Sequence, residues 1–189
     1  MASQSEEDFT WPEGIPMPEN GKSKNIELSV VFDLVLMATA YVFLHELKHV
    51  IFSAEDNAPE NALEEELQCD QFAAEVILRD IRVYVNQSGY ATEMVQMKRS
   101  MGIALGAAFL AIATPRELLA GSNSHPAVHK RWLVTLGSSP LEENSYYWLY
   151  FASLAIAILK YQKIVFPAQD VENFKQLSLT AIRALENGI

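Results

Sequence analysis

The sequence predicts a mainly α-helical protein. Half of the 189 residues are hydrophobic and 20% are charged, enough apolar side chain for a buried core. The apolar residues form long segments separated by Gly-, Pro-, Ser- and Asn-rich breaks, and no segment shows sustained alternation of apolar and polar residues. We therefore predict helices at about residues 26–54, 60–87, 91–113, 126–136, 142–165 and 169–187.

The first 24 residues differ in composition from the rest. They carry Pro12, Pro16 and Pro18, two glycines and several acidic residues. Such a composition is typical of an arm without regular structure. We expect residues 1–24 to form an acidic, proline-rich N-terminal arm, and residues 25–189 to form one helical domain.

Charge and cysteine content restrict the class of protein. The formal net charge is −10, which repels phosphate backbones and argues against nucleic acid as a partner. Cys69 is the only cysteine, so no intramolecular disulfide can form, and the N-terminus lacks the basic and apolar regions of a signal peptide. We expect a cytoplasmic protein.

Three segments are apolar enough to raise the question of a membrane. They are residues 28–44, 101–113 and 146–159. The first contains Asp33, and the other two are shorter than the roughly 20 residues that a span requires. We favour buried core helices, with a membrane-associated protein as the alternative. Gly102 and Gly106 form a pair of small residues one turn apart, which permits close helix packing in either setting.

The most informative segment is His45-Glu46-Leu47-Lys48-His49. On a helix, residues four apart share a face, so both imidazoles can bind one Zn²⁺ ion. Glu46 then lies where it can accept a proton from the metal-bound water. The spacing predicts two metal ligands and a general base.

A third ligand is expected in the next helix. Glu66 and Asp70 lie one turn apart, so Glu66 could bind the metal while Asp70 accepts a hydrogen bond from a ligand histidine. Glu65 or Asp70 as the ligand is left open, and so is a solvated face formed by the three consecutive glutamates. Two histidines and one carboxylate leave a fourth position open, as in catalytic zinc sites.

These motifs carry a resemblance to known families. HELKH followed by ELQCDQFA resembles the HExxH…ExxxD signature of the gluzincin metallopeptidases. Residues 124–131, SHPAVHKR, resemble the S/T-H-P-x-x-x-x-R segment of the CAAX-prenyl-protease and HtpX-like group. A similar order is expected in the phage-exclusion Lit-type peptidases. The resemblance implies a compact helical, zincin-like metallopeptidase domain in which the HExxH helix packs against the ExxxD helix.

The resemblance also implies roles for the remaining candidate residues. It places His125 near the substrate carbonyl and Arg131 as a brace of the site, and either could stabilise the developing oxyanion. All four histidines of the chain fall within the motifs. His129 is not required by the pattern and could be a surface residue or pair with His125 at a second metal.

The sequence thus favours one function over two alternatives. We expect a zinc endopeptidase with one Zn²⁺ per chain, catalytic residues Glu46, His125 and Arg131, and a protein or peptide substrate. The alternatives are a membrane-associated HtpX-like protease and a non-catalytic zinc protein that binds a partner. The presence of Glu46 argues against the last, because a structural site needs no general base.

Overall fold

The computed structural model describes residues 24–137, 140–167 and 169–188. Within these ranges the chain is helical and has no strand, which confirms the predicted mainly α class. The helices are α1 (Ile26–Glu55), α2 (Ala62–Leu78), α3 (Ile81–Ser88), α4 (Thr92–Ala113), α5 (Val128–Gly137), α6 (Tyr146–Tyr161) and α7 (Phe174–Asn187), with a 3₁₀ turn at Arg116–Leu118 between α4 and α5.

The chain divides into two units, residues 1–33 and 34–189. Helix α1 begins in the first unit and continues into the second. Residues 1–23 lie outside the described residues, so the predicted N-terminal arm over residues 1–24 stays a prediction. All of the candidate site residues belong to the second unit.

The core of residues 34–189 is built around α6, which packs against α4 and α7. Its inward face, including Phe151 and Leu159, is almost completely buried. Trp132 from α5 meets Phe151 edge to face, with ring centroids 5.4 Å apart. The apolar segments predicted as core helices in α4 and α6 are therefore largely buried.

Helix α1 departs from that expectation. Among residues 34–55, Val35, Leu36, Phe43 and Val50 are exposed, whereas Tyr41 is buried on the opposite face. Of the helices in the described ranges, α1 alone is long and apolar enough to cross a membrane, judged by length and composition.

Two glycines of α4 set how closely α1 approaches. A Cβ on Gly102 would lie 2.4 Å from the Cβ of Met37, and one on Gly106 would lie 2.8 Å from the ring of Tyr41. Larger residues at either position would push the helices apart. The predicted pair of small residues therefore marks a helix contact, and that contact fixes the part of α1 that precedes His45.

The predicted helix over residues 60–87 is broken into α2 and α3. Asp80 has a left-handed backbone with φ of 56°, which interrupts a regular helix. The guanidinium of Arg99, on α4, donates hydrogen bonds to the carbonyl oxygens of Ile77 and Arg79 at 2.8 and 2.7 Å. These bonds satisfy carbonyl groups that the end of α2 leaves unpaired.

Candidate metal centre

The first part of the site lies on α1, where His45 and His49 are one turn apart. His45 is 3% exposed, and its Nε2 lies 3.3 Å from Nε2 of His49. The two Nε2 atoms therefore face a common point. Glu46, next to His45, is exposed to solvent.

Helix α2 supplies a carboxylate to the same point. Asn61 caps this helix, its side chain accepting a hydrogen bond from the amide of Leu63. Of the three consecutive glutamates that follow, Glu64 is exposed, whereas Glu66 is 7% exposed. The rotation of α2 thus turns Glu66 inward towards α1.

The three side chains have the spacing of a metal site. Oε2 of Glu66 lies 3.4 Å from Nε2 of His45, and Oε1 of Glu66 lies 3.4 Å from Nε2 of His49. The two Nε2 atoms, 3.3 Å apart, match the roughly 3.3–3.4 Å that tetrahedral zinc with ligands at about 2.0–2.1 Å requires, and Glu66 offers a different oxygen to each histidine. Oε2 of Glu66 is buried and has no hydrogen-bond partner, which suits an atom that binds a metal. His45, His49 and Glu66 form the one cluster of three metal-ligating side chains found in the described parts of the chain.

Asp70 lies one turn after Glu66 and is fully buried. Its carboxylate accepts two hydrogen bonds from Arg131, Nε to Oδ2 at 2.7 Å and Nη2 to Oδ1 at 2.8 Å. Nδ1 of His45 lies 3.0 Å from Oδ1 of the same carboxylate. Asp70 thus contacts the ring of His45 on the side opposite Nε2, the nitrogen that faces His49 and Glu66.

The electrostatics of these residues follow from burial and pairing. Burial lowers the pKa of His45, but its contacts with Asp70 and Glu66 outweigh this and raise the pKa to about 9. Burial raises the pKa of Asp70, yet the hydrogen bonds from Arg131 and the close contact with His45 hold it below the ordinary value. Glu66 behaves similarly, with His45 and Arg131 opposing burial and lowering its pKa. Both carboxylates are therefore ionised at neutral pH.

Tyr41 also belongs to this network, although sequence reasoning had missed it. Its buried hydroxyl donates a hydrogen bond to Oδ1 of Asp70 at 2.9 Å and lies 3.3 Å from Oγ1 of Thr135. In the sequence, the signal for this role is that Tyr41 lies one helical turn before His45 and therefore on the same face. A buried tyrosine hydroxyl on that face requires a hydrogen-bond partner.

Glu65 also contacts this site. The sequence offers it only as an alternative metal ligand or as part of a solvated helix face. Its Oε1 lies 2.7 Å from Nδ1 of His49.

The segment that carries His125 is a loop before α5. Nε2 of His125 lies 3.5 Å from Oε1 of Glu66, while the side chain is 61% exposed. The hydroxyl of Ser122 accepts a hydrogen bond from the amide of His125, and Ser124 Oγ lies 2.9 Å from its Nδ1. Helix α5 begins at Val128, two residues after Pro126, whereas the predicted helix over residues 126–136 began at Pro126 itself.

His129 lies on α5 away from this arrangement. It is buried, and its Nε2 lies 3.6 Å from a carboxylate oxygen of Glu186 on α7. Burial lowers the pKa of its imidazole. The structure therefore pairs His129 with α7.

Cys69, the single cysteine, is completely buried on α2. Burial also raises the pKa of its thiol. It therefore behaves as a small core residue of α2.

Comparison with known proteins places these motifs in a family. Residues 1–151 match the Peptidase U49 family. The "Cell death peptidase" of Escherichia coli (strain K12) is 24% identical over 132 residues, covering 70% of this chain and 42% of that protein. The chain thus spans less than half the length of this curated relative. No solved structure matches the chain at a significant level.

The family match agrees with the resemblance to Lit-type peptidases, whereas membership of the gluzincin and HtpX-like groups stays a prediction. The match includes the residues of α1, α2 and α5 that form the candidate metal centre. Because it extends over residues 1–151 of 189, the chain belongs to the Peptidase U49 family.

Proposed function

We propose that the chain is a zinc-dependent endopeptidase that acts on a protein or peptide substrate, with one Zn²⁺ held by His45, His49 and Glu66. The observation that carries this proposal is the clustering of their ligand atoms: the two Nε2 atoms lie 3.3 Å apart, and each lies 3.4 Å from an oxygen of Glu66, Oε2 for His45 and Oε1 for His49. Two imidazoles and one carboxylate leave the fourth position for water or substrate, as catalytic sites require.

Glu46 is the general base in this proposal. A bound zinc ion would polarise the scissile carbonyl and lower the pKa of a water molecule towards about 7. Glu46 is exposed and directly follows His45 on α1, so its carboxylate can reach that water, accept its proton and pass it to the leaving amine.

His125 and Arg131 have different roles. Because the His125 side chain is mostly exposed and lies beside Glu66, it can donate a hydrogen bond to the substrate oxygen as negative charge develops. Arg131 is engaged by Asp70 through two nitrogens, and its Nη1 lies 3.6 Å from Oε2 of Glu66. We therefore assign oxyanion stabilisation to His125 and bracing of Asp70 and Glu66 to Arg131.

The first test is metal analysis by mass spectrometry of protein purified without detergent. About one zinc per chain in the wild type, lost in His49→Ala and Glu66→Ala, supports the ligand set. A folded wild type that takes up no added zinc contradicts the proposal and favours a partner-binding protein.

The general base is tested with Glu46→Gln. This variant should retain zinc but lose hydrolysis of a peptide library followed by mass spectrometry, because an amide cannot accept the proton. Glu55→Gln changes an exposed glutamate at the end of the same helix and is the matched control. Turnover by Glu46→Gln at the wild-type rate would contradict the assignment.

The role of His125 is tested separately. His125→Ala should lower kcat by about 10²-fold, the scale of one oxyanion donor, while zinc is retained. Loss of zinc from this variant would instead make His125 a ligand.

A membrane-associated protease is the second candidate, and one observation favours it. Helix α1 exposes Val35, Leu36, Phe43 and Val50, and it is long and apolar enough to cross a bilayer. We propose a cytoplasmic protein, since the net charge of −10 opposes binding to anionic lipid. Flotation of the protein with neutral phosphatidylcholine vesicles separates the two, because co-flotation supports the membrane candidate.

A further inference from the structure

Each histidine of the metal centre has its own carboxylate partner on α2. Nδ1 of His45 lies 3.0 Å from Asp70, and Nδ1 of His49 lies 2.7 Å from Oε1 of Glu65. In both cases the contact is made by the ring nitrogen that does not face Glu66. The sequence predicts the Asp70 contact, whereas it offers Glu65 only as an alternative ligand or as part of a solvated helix face.

We propose that Glu65 is a positioning residue that holds His49 in the orientation and tautomer needed for metal binding. A carboxylate that accepts a hydrogen bond from Nδ1–H leaves Nε2 without a proton and directs it to the metal. The same hydrogen bond makes the imidazole a more basic metal ligand. This inference rests on the proposed function, since it concerns the same metal centre.

The surroundings of His49 make this contact important. The side chain of His49 is 27% exposed, in contrast to the almost fully buried ring of His45, so packing constrains His49 less. His45 is held by the buried Asp70, which is itself fixed by Arg131 and Tyr41. For His49 the hydrogen bond to Glu65 supplies the corresponding restraint.

The position of Glu65 also distinguishes it from a metal ligand. Its Oε1 contacts Nδ1 of His49, whereas the metal-facing atoms are Nε2 of both histidines and the oxygens of Glu66. Because Nδ1 and Nε2 lie at different corners of the imidazole, the two adjacent glutamates serve different faces of one ring. Glu64, the third glutamate of the run, is exposed and accepts a hydrogen bond from Gln68 of its own helix.

The test compares zinc affinity, by competition with a chromogenic chelator, in the full chain and four variants. Glu65→Ala should weaken zinc binding about 10- to 100-fold, the range for loss of such a partner. Glu65→Gln should lose less, because its amide oxygen still accepts the Nδ1 proton. Glu64→Ala is the matched control and should bind as the wild type does, while Glu66→Ala defines the effect of losing a ligand.

The visible spectrum of the Co²⁺-loaded protein gives a second readout. Glu65→Ala should keep the absorption pattern of the wild type, because the coordinating atoms are unchanged, whereas Glu66→Ala should not. Thermal unfolding in chelator shows that each variant is folded, and Glu65→Gln serves if Glu65→Ala does not fold.

The outcomes separate the inference from the proposed function. Equal zinc affinity of Glu65→Ala and Glu64→Ala, with a wild type that binds zinc, overturns the inference alone. A cobalt spectrum and affinity for Glu65→Gln that match those of Glu66→Ala would make Glu65 a ligand and also overturn it. A wild type that binds neither ion overturns the proposed function and the inference with it.

Discussion

Replacing Asp70 by Asn removes one negative charge from the centre of the site while nearly preserving its shape. Oδ1 of Asp70 contacts donors on Arg131, Tyr41 and His45, whereas Oδ2 contacts Nε of Arg131. The Asn side chain satisfies most of these donors when its carbonyl oxygen takes the place of Oδ1. Its NH₂ group then faces Nε of Arg131, so a donor meets a donor and the guanidinium loses the negative charge of Asp70.

The magnitude follows from burial and from the remaining charges. Breaking a buried ion pair by removing one partner costs about 3–5 kcal/mol. Glu66, 3.6 Å from Arg131, offsets part of this, so we expect the lower end, about 3 kcal/mol. For a chain of this size that corresponds to a fall in Tm of about 6–12 °C. Zinc affinity should fall only about tenfold, because His45 keeps an acceptor at Nδ1.

The assay is thermal unfolding followed by circular dichroism in chelator, together with zinc affinity by chelator competition. Glu143→Gln is the matched control, since Glu143 pairs with Lys175 at 3.6 Å on the surface. This change should alter stability by less than about 1 kcal/mol. An Asp70→Asn protein that melts within about 2 °C of the wild type would refute the reasoning, as this is below the shift expected for 1 kcal/mol.

Three further predictions concern other parts of the fold. Burial lowers the pKa of His129 despite the opposing effect of Glu186. The unfolded state therefore binds a proton at a higher pH than the folded state does, and the free energy of unfolding falls as the pH falls through about 6.5. When the pH is lowered from about 7.5 to 5.5, the Tm of His129→Gln should therefore fall less than that of the wild type. Parallel curves of Tm against pH would contradict this. Gly121→Ala should lower turnover with zinc retained, because Gly121 has φ of 93° and a Cβ there would lie 3.0 Å from the carbonyl oxygen of His125; unchanged kcat would argue against a role for this loop. Asn61→Ala should destabilise the protein by about 1 kcal/mol through loss of the α2 cap, with an unchanged Tm as the contrary result.

The helical class and the pair of histidines could be predicted because both depend on local sequence. Long apolar segments without alternation, separated by Gly-, Pro-, Ser- and Asn-rich breaks, indicate helices, and the spacing of His45 and His49 puts them on one face. Which of three consecutive glutamates turns inward depends on the rotation of α2 against α1. The sequence favoured Glu66 by its spacing from Asp70, but only packing distinguishes its environment from that of Glu65.

Other features required contacts between distant residues. The break after α2 combines a left-handed Asp80 with carbonyl groups bonded by Arg99 of α4, which no local pattern reveals. Tyr41 looks like an ordinary core residue of an apolar helix, since its partner Asp70 lies 29 residues away in the sequence. The exposed apolar side chains of α1 could not be distinguished from core residues by composition.

The carboxylate of Asp70 connects three helices that are separate in the sequence. It contacts α1 through Tyr41 and His45, and α5 through Arg131, while belonging to α2 itself. Opening any one of these helices would leave buried charges without partners, so the three should open together as one cooperative unit. Amide hydrogen exchange in α1, α2 and α5 would then slow in concert when metal binds, even at positions far from the ion. The hydrogen-bond network thereby links occupancy of the centre to the rigidity of three of the seven α-helices in the described structure.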